Sequence, residues 1–259
     1  MNDGPVLYGV GVGPGAPDLM TLRAVRVLRS VAVVAAPRRN NTAASLAWSI
    51  AEAEVGPVEG QERLLLTFPM TKDPEVLRPA WEAALEQVGQ RLAAGLSVAF
   101  VTEGDPLVYS TFIYMMDEVR QRWPQVRIEV VPGITSLTAV PAVAQIPLAD
   151  GQETMAVLPA SYSVEELGQV LDQFDTTILM KVGNRMAEVV DVLRSKGLLS
   201  RAVYVSRATM DNQRIERDLE TLTESRCDYF SMVVVRKGDR SGVLMGQGTN
   251  PPAEAYAGS

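Results

Sequence analysis

Short apolar runs alternate with longer amphipathic stretches along most of the chain. "VLYGVGV" ends in glycines and leads into "TLRAVRVLRS", where Arg23, Arg26 and Arg29 recur every three residues opposite Leu22, Val25 and Leu28. That spacing predicts a strand, a loop and an amphipathic helix. "VAVVAAP" predicts a second strand stopped by Pro37, "TAASLAWSIAEA" a helix, "RLLLTF" a third strand, and "PEVLRPAWEAALEQVGQRLAAG" a long helix closed by Gly95. The alternation continues with the strand "LSVAFV", the helix "LVYSTFIYMMDEVRQRW", the strand "VRIEVV" and the helix "SLTAVPAVAQ", which Pro141 should kink or shorten. Strands alternating with helices predict a parallel sheet covered on both faces.

Around "IPLADGQE" the pattern relaxes into Pro, Gly and acids, which predicts a linker at about residues 147–153. Two α/β domains with mostly parallel sheets are therefore expected, residues 1–149 and 150–259. The second carries "TMAVLPA", "SVEELGQVLDQF", "TTILMKV", "RMAEVVDVLRSKG", "RAVYVSRAT" and "YFSMVVVRKG", with more strand in its last third.

Composition narrows the chemistry. The 259 residues carry a net charge of −7, which argues against a general nucleic-acid or anionic-membrane binder, so an anionic ligand would have to meet a local basic cluster. One cysteine, Cys227, excludes an intramolecular disulfide. The absence of histidine removes the usual zinc sites and catalytic triads, and no metal is expected. No apolar run reaches membrane-span length, and "MNDGPVLYGV" lacks the basic region and long apolar core of a secretion signal. A soluble cytoplasmic protein is the expectation.

Three small-residue turns follow predicted strands. "GVGPGA", Gly11 to Ala16, satisfies the dinucleotide spacing G-x-G-x-x-A, and Arg38 and Arg39 after the second strand could meet a 2′-phosphate, which keeps an NADP-dependent oxidoreductase open. Against it, Pro14 and Pro17 each remove an amide, and the helical pattern starts only near Thr21. The second turn, Glu103-Gly104-Asp105-Pro106, ends the fourth strand. Asp105 can cap the following helix or accept hydrogen bonds from a ligand, and Tyr109, one turn down that helix, can face the same cavity. "VPGITS" repeats the design after the fifth strand, with Thr135 and Ser136 opening a helix. A parallel sheet points all three turns to one edge, where ligands of open α/β sheets bind.

"YGVGVGPGAPDLMT", "EGDPLVYS" and "PGITS", in this order and spacing, resemble the tetrapyrrole methylases over nearly the whole chain. "FPMTKD" and "EGDPLVYSTFIYM" resemble the branch that methylates C20 of precorrin-2, or of its cobalt form, in cobalamin biosynthesis. The resemblance implies two α/β domains with the active-site cleft between them, S-adenosyl-L-methionine as methyl donor, a tetrapyrrole substrate and a homodimer. It implies that Pro14 closes one side of the donor site, that Gly104, Asp105 and Val108 wrap the methionine part, and that Thr135 and Ser136 contact the donor through backbone and hydroxyl. Met180 in "ILMKV" and Ala208 in "SRATMDNQ" would meet the adenosine. Glu103 and Tyr109 are candidates for groups near the proton that must leave C20, each with a packing role as the alternative. An acidic chain taking an acidic ring needs a locally positive rim, for which Arg38, Arg39 and Lys72 are the candidates, with Lys181, Arg185 and Arg207 in the second domain.

Overall fold

The computed structural model describes residues 4–71, 73–159, 161–222 and 227–238. They form two compact units that divide between Ser136 and Leu137. The first holds a five-stranded sheet of β1 (Val6–Gly11), β2 (Val33–Arg38), β3 (Glu62–Thr67), β4 (Val98–Thr102) and β5 (Arg127–Val131). Their order is β3-β2-β4-β1-β5, and every pairing is parallel.

Strand alternation sorts the side chains of this sheet onto two buried faces. Val10, Val34, Ala36 and Val101 face one way, under α1 (Leu22–Ser30) and α2 (Leu46–Val55). Leu7, Val33, Ala35 and Phe100 face the other, under α3 (Pro74–Ala93) and α4 (Phe112–Arg122). Fully burying a side chain of the size of Phe100 or Leu85 contributes about 1.5–3 kcal/mol, so each face is a substantial core. α1, α2 and α3 start where the sequence supplies caps. Thr21 Oγ1 accepts from Ala24 N, Ser45 Oγ from Trp48 N, and Asp73 Oδ1 from Glu75 N beside Pro74 at the first helical position.

Two details differ from the sequence pattern. Leu22 is 80% exposed, because the face that α1 lays on the sheet is Ala24, Val25 and Leu28. The helix predicted from Leu107 begins only at Phe112. Residues before it form turns instead: Asp105 Oδ1 accepts from Leu107 N, Ser110 Oγ accepts from Phe112 N, and Tyr109 takes a left-handed φ of 50°. Such local side-chain to backbone bonds compete with helix formation.

The second unit has β6 (Met155–Pro159), β7 (Thr176–Met180), β8 (Ala202–Ser206), β9 (Arg214–Glu216) and β10 (Ser231–Arg236), in the order β6-β7-β10-β8-β9. β6, β7 and β8 run in one direction. β10 runs against both β7 and β8, and β9 against β8. α6 (Val164–Gln173) and α7 (Met186–Ser195) cover one face through Leu167, Leu171, Val189 and Leu193. α5 (Ser136–Ala144), which passes through Pro141 and stops before the left-handed Gln145, covers the other with Val140 and Ala144. That packing carries α5 into the second unit, whereas the relaxed composition after residue 146 places the sequence boundary at 149/150. The segment that looked like a linker is held down: Arg236 meets both carboxylate oxygens of Glu153, at 2.8 and 2.9 Å, with both side chains largely buried.

Candidate active site

β4, β1 and β5 are consecutive in the first sheet and parallel, so their carboxyl ends lie side by side. Val12 N donates to Thr102 O at 3.0 Å, and Gly13 and Gly104 form an antiparallel bridge in which Gly104 N donates to Gly13 O at 2.7 Å. The β5 turn closes on the same point. A Cβ on Gly133 would lie 2.0 Å from Gly104 O and 2.8 Å from Gly11 Cα, and one on Gly11 would lie 2.5 Å from Gly104 O. No side chain fits between these backbones at Gly11 and Gly133, while Gly104 meets the other glycine requirement, a left-handed φ of 68°.

Asp105 fastens the assembly. Its Oδ2 accepts from Gly133 N at 3.0 Å while Oδ1 accepts from Leu107 N at 2.9 Å, so one carboxylate ties the β4 turn to the β5 turn. A charged acceptor makes such bonds stronger than neutral pairs. Gly104, at φ 68°, turns its bare side towards the next turn: a Cβ there would have Thr135 Cα at 3.7 Å and Ser136 N at 4.0 Å as its nearest neighbours. The structure thus brings Gly104, Asp105, Thr135 and Ser136 together, with Pro14 directly after the bridged Gly13. Val108 belongs to the same turn, its N–H donating to Asp105 O at 3.3 Å.

The other sequence candidates stand differently. Glu103 Oε1 accepts from Ala47 N at 3.1 Å, in the first turn of α2, where a carboxylate also suits the helix dipole. Tyr109 does not sit one helical turn below Asp105, because the chain is not helical there; it is left-handed and 47% exposed. Arg38 spends its guanidinium on neutral partners, Thr67 Oγ1 at 3.1 Å, Asn41 O at 3.0 Å and Asn41 Oδ1 at 3.1 Å, which orders the loop after β2. Arg39 is exposed. Lys72 lies outside the described residues.

The dinucleotide reading of "GVGPGA" loses its physical basis here. The amides of Val12 and Gly13 already donate to Thr102 O and Gly104 O and do not face a pyrophosphate, and α1 begins at Leu22, well past the glycines. What the edge can do is surround a small polar ligand with close backbone, a carboxylate and two hydroxyls. Among the described residues no group of three or more Cys, Asp or Glu side chains is placed to hold a metal ion.

The carboxyl ends of β7 and β8 in the second unit are finished with side chains. Met180 and Ala208 are buried there, and each has a left-handed cationic neighbour: Lys181 at φ 59° and Arg207 at φ 48°, followed by Thr209 at φ 70°. The two cations are equivalent in the sheet. Lys181 N donates to Ser231 O and Arg207 N to Phe230 O, so both are pinned by the segment entering β10. Asp228 anchors that segment, donating its N–H to Tyr204 Oη at 3.1 Å and accepting from Phe230 N at 2.9 Å and Arg207 Nε at 2.7 Å. Sequence reasoning passed over Asp228, Tyr229 and Phe230. The available signal was an adjacent aromatic pair before the apolar run "SMVVV".

The profile of the tetrapyrrole (corrin/porphyrin) methylases matches residues 6–223. A cobalt-precorrin-2 C(20)-methyltransferase of Salmonella typhimurium is 35% identical over 233 residues, covering 89% of this chain and 96% of the relative. A precorrin-2 C(20)-methyltransferase of Sinorhizobium is 34% identical over 241 residues, 88% of this chain and 94% of the relative. Among solved structures, a uroporphyrin-III C-methyltransferase from Thermus thermophilus, complexed with S-adenosylhomocysteine, shares the fold with a TM-score of 0.64 at 22% identity, over 90% of this chain and 98% of that one.

Proposed function

This chain belongs to the tetrapyrrole methylases, and on that premise we propose that it methylates C20 of precorrin-2 with S-adenosylmethionine, giving precorrin-3A on the route to cobalamin. A methyl group passes from the sulfonium sulfur to the ring carbon, and the carbon gives up a proton. Relatives named for C(20) methylation of precorrin-2 and of its cobalt form align along nearly the whole of both sequences. The observation that carries the reading is the interlocked edge of the first sheet, with an open face on Gly104 towards Thr135 and Ser136 and a carboxylate in place of a phosphate cradle.

The donor presents a sulfonium and an ammonium beside its carboxylate, so acceptors and short hydroxyls suit it. When bound it supplies an electrophilic methyl group. The chain holds and orients it: Gly104, Asp105 and Val108 against the methionine part, Thr135 and Ser136 through backbone and hydroxyl, Pro14 as one wall. In-line positioning accounts for much of the rate, since the meso carbon of a reduced tetrapyrrole is already enamine-like. Glu103 acts behind this edge by holding α2. A second reading, methylation of the cobalt-bound ring, is favoured by the relative named for that form. As the family resemblance implies, the enzyme is a homodimer, and a monomer in sedimentation at micromolar concentration would count against this.

The test is incubation with labelled S-adenosylmethionine and either metal-free or cobalt-loaded dihydrosirohydrochlorin, followed by the mass and site of methylation. One methyl at C20 is expected. Methylation at another carbon, or of neither ring, overturns the proposal.

A further inference from the structure

Tyr229 and Phe230 are 48% and 39% exposed, and their rings meet edge to face, with centroids 5.3 Å apart and planes at 83°. They occupy the carboxyl edge of β7 and β8, the edge at which ligands of α/β sheets gather. A cation stands on each side. Lys181 Nζ lies 5.6 Å above the centre of the Tyr229 ring, and Arg207 is joined to the same segment through Asp228. Among the described residues only Nε of the Arg207 guanidinium donates to a side chain, to Asp228, so its forked Nη groups have no such acceptor.

The arrangement is rigid where it is exposed. Asp228 is fixed by the buried Tyr204 hydroxyl, by Phe230 N and by Arg207, and Ser231 Oγ donates to Asp228 O. Both cations are held in the left-handed region, which costs a non-glycine residue conformational energy and persists where surrounding contacts fix it. Strain of this kind at Lys181, Arg207 and Thr209 would be relieved by glycine, yet long cationic chains occupy two of the positions.

We propose that Tyr229 and Phe230, flanked by Lys181 and Arg207, form a platform for the tetrapyrrole substrate, the aromatic pair packing on the apolar ring and the cations meeting its peripheral carboxylates. This rests on the proposed function. The chemistry is matched on both counts: a broad, largely apolar macrocycle finds aromatic surface, and its anionic arms find a guanidinium fork suited to bidentate contact with carboxylate. Asp228 offsets the charge of Arg207, so the edge keeps one positive charge in excess from Lys181, Arg207 and Asp228, in a chain of net charge −7.

The experiment compares wild type with Tyr229→Ala, Phe230→Ala and Lys181→Gln, reading KM for dihydrosirohydrochlorin, binding of S-adenosylhomocysteine by calorimetry, and sedimentation. Circular dichroism and thermal unfolding identify any variant that has lost its fold, and Lys181→Gln, a surface change of similar length, keeps the test open if an aromatic variant does. The aromatic variants should raise KM roughly fivefold to tenfold each. Lys181→Gln should raise it about threefold and flatten its dependence on salt. Donor affinity should stay within twofold. Unchanged KM in folded variants of an active wild type overturns the platform and leaves the methyltransferase reading standing. An inactive wild type removes that reading and the platform with it. A variant that shifts the sedimentation equilibrium, with KM unaltered, makes the aromatic pair a contact between copies and likewise overturns the proposal.

Discussion

At the carboxyl edge of the first sheet, turns from β1, β4 and β5 meet backbone against backbone, at distances that leave no room for a Cβ on Gly11 or Gly133. The corresponding edge of the second sheet is assembled from Lys181, Arg207, Asp228, Tyr229 and Phe230, with left-handed φ values carried by residues other than glycine. Both edges are over-determined by hydrogen bonds, yet they tolerate change in opposite directions. Where backbones touch, an added methyl group is the damaging substitution. Where side chains build the edge, their removal should cost binding more than stability.

The widest separation between the two edges should come from Gly133→Ala. With Gly104 O 2.0 Å from the new Cβ, backbone must move against backbone. Overpacking typically costs about 1–3 kcal/mol, and the expected result is a loss at or above the top of that range in urea unfolding, together with loss of donor binding. Stability within about 0.5 kcal/mol of wild type, the usual range for unremarkable surface changes, would mean that the turns are not interlocked.

Asp105→Ala should have the next largest effect. It removes acceptors from Gly133 N and Leu107 N, and a lost bond to a charged group costs about 1.5–3 kcal/mol. Donor affinity should fall as well, because the turn it fastens carries Gly104 and Val108. A destabilised variant with wild-type affinity would make Asp105 a structural staple alone.

Lys181→Gly sharpens the comparison from the other side. Relief of the left-handed conformation is worth roughly 1–2 kcal/mol, offset by the greater freedom of glycine in the unfolded chain, about 0.5–1 kcal/mol. Thermal unfolding should therefore shift by little, upward if at all, while tetrapyrrole affinity falls. A marked drop in stability would show that the Lys181 side chain holds the second edge together.

The smallest expected effect is acid sensitivity in the second unit away from either edge. Hydrogen bonds donated by Thr154, from its backbone N–H first and then from its hydroxyl, hold the Asp175 carboxyl below its usual 3.8. The folded state is thus favoured at pH values above the usual carboxylate range, and that share is lost as pH falls through the lowered value. Asp175→Asn should reduce the pH dependence of unfolding below pH 4 and leave it unaltered near neutrality. An unchanged acid limb would show that Thr154 contributes nothing there.

The same contrast explains what could be read from the amino-acid order. Gly11 and Gly133 are visible because close backbone approach admits one residue type, Gly104 because its left-handed φ favours the same one, and Pro14 and Pro106 mark the turns beside them. The strands and helices of the first unit follow from their apolar pattern, since the inner strands β1, β2 and β4 are buried on both faces. Tyr109 was misplaced because "LVYS" continues the apolar pattern of the helix that follows, while the bonds that prevent helix there come from Asp105 and Ser110. In the second unit, nothing in periodicity says that β10 inserts against β7 and β8 and delivers Asp228, Tyr229 and Phe230 to their ends. Left-handed Lys, Arg and Thr carry no mark comparable to glycine.

The claim that the glycine-built edge holds the methyl donor is tested most directly by hydrogen–deuterium exchange with and without S-adenosylhomocysteine. The account predicts slowed exchange in the turns at residues 12–16, 103–110 and 133–138, and no such protection with NADP. Protection confined to other segments, or the same protection by NADP, would contradict it.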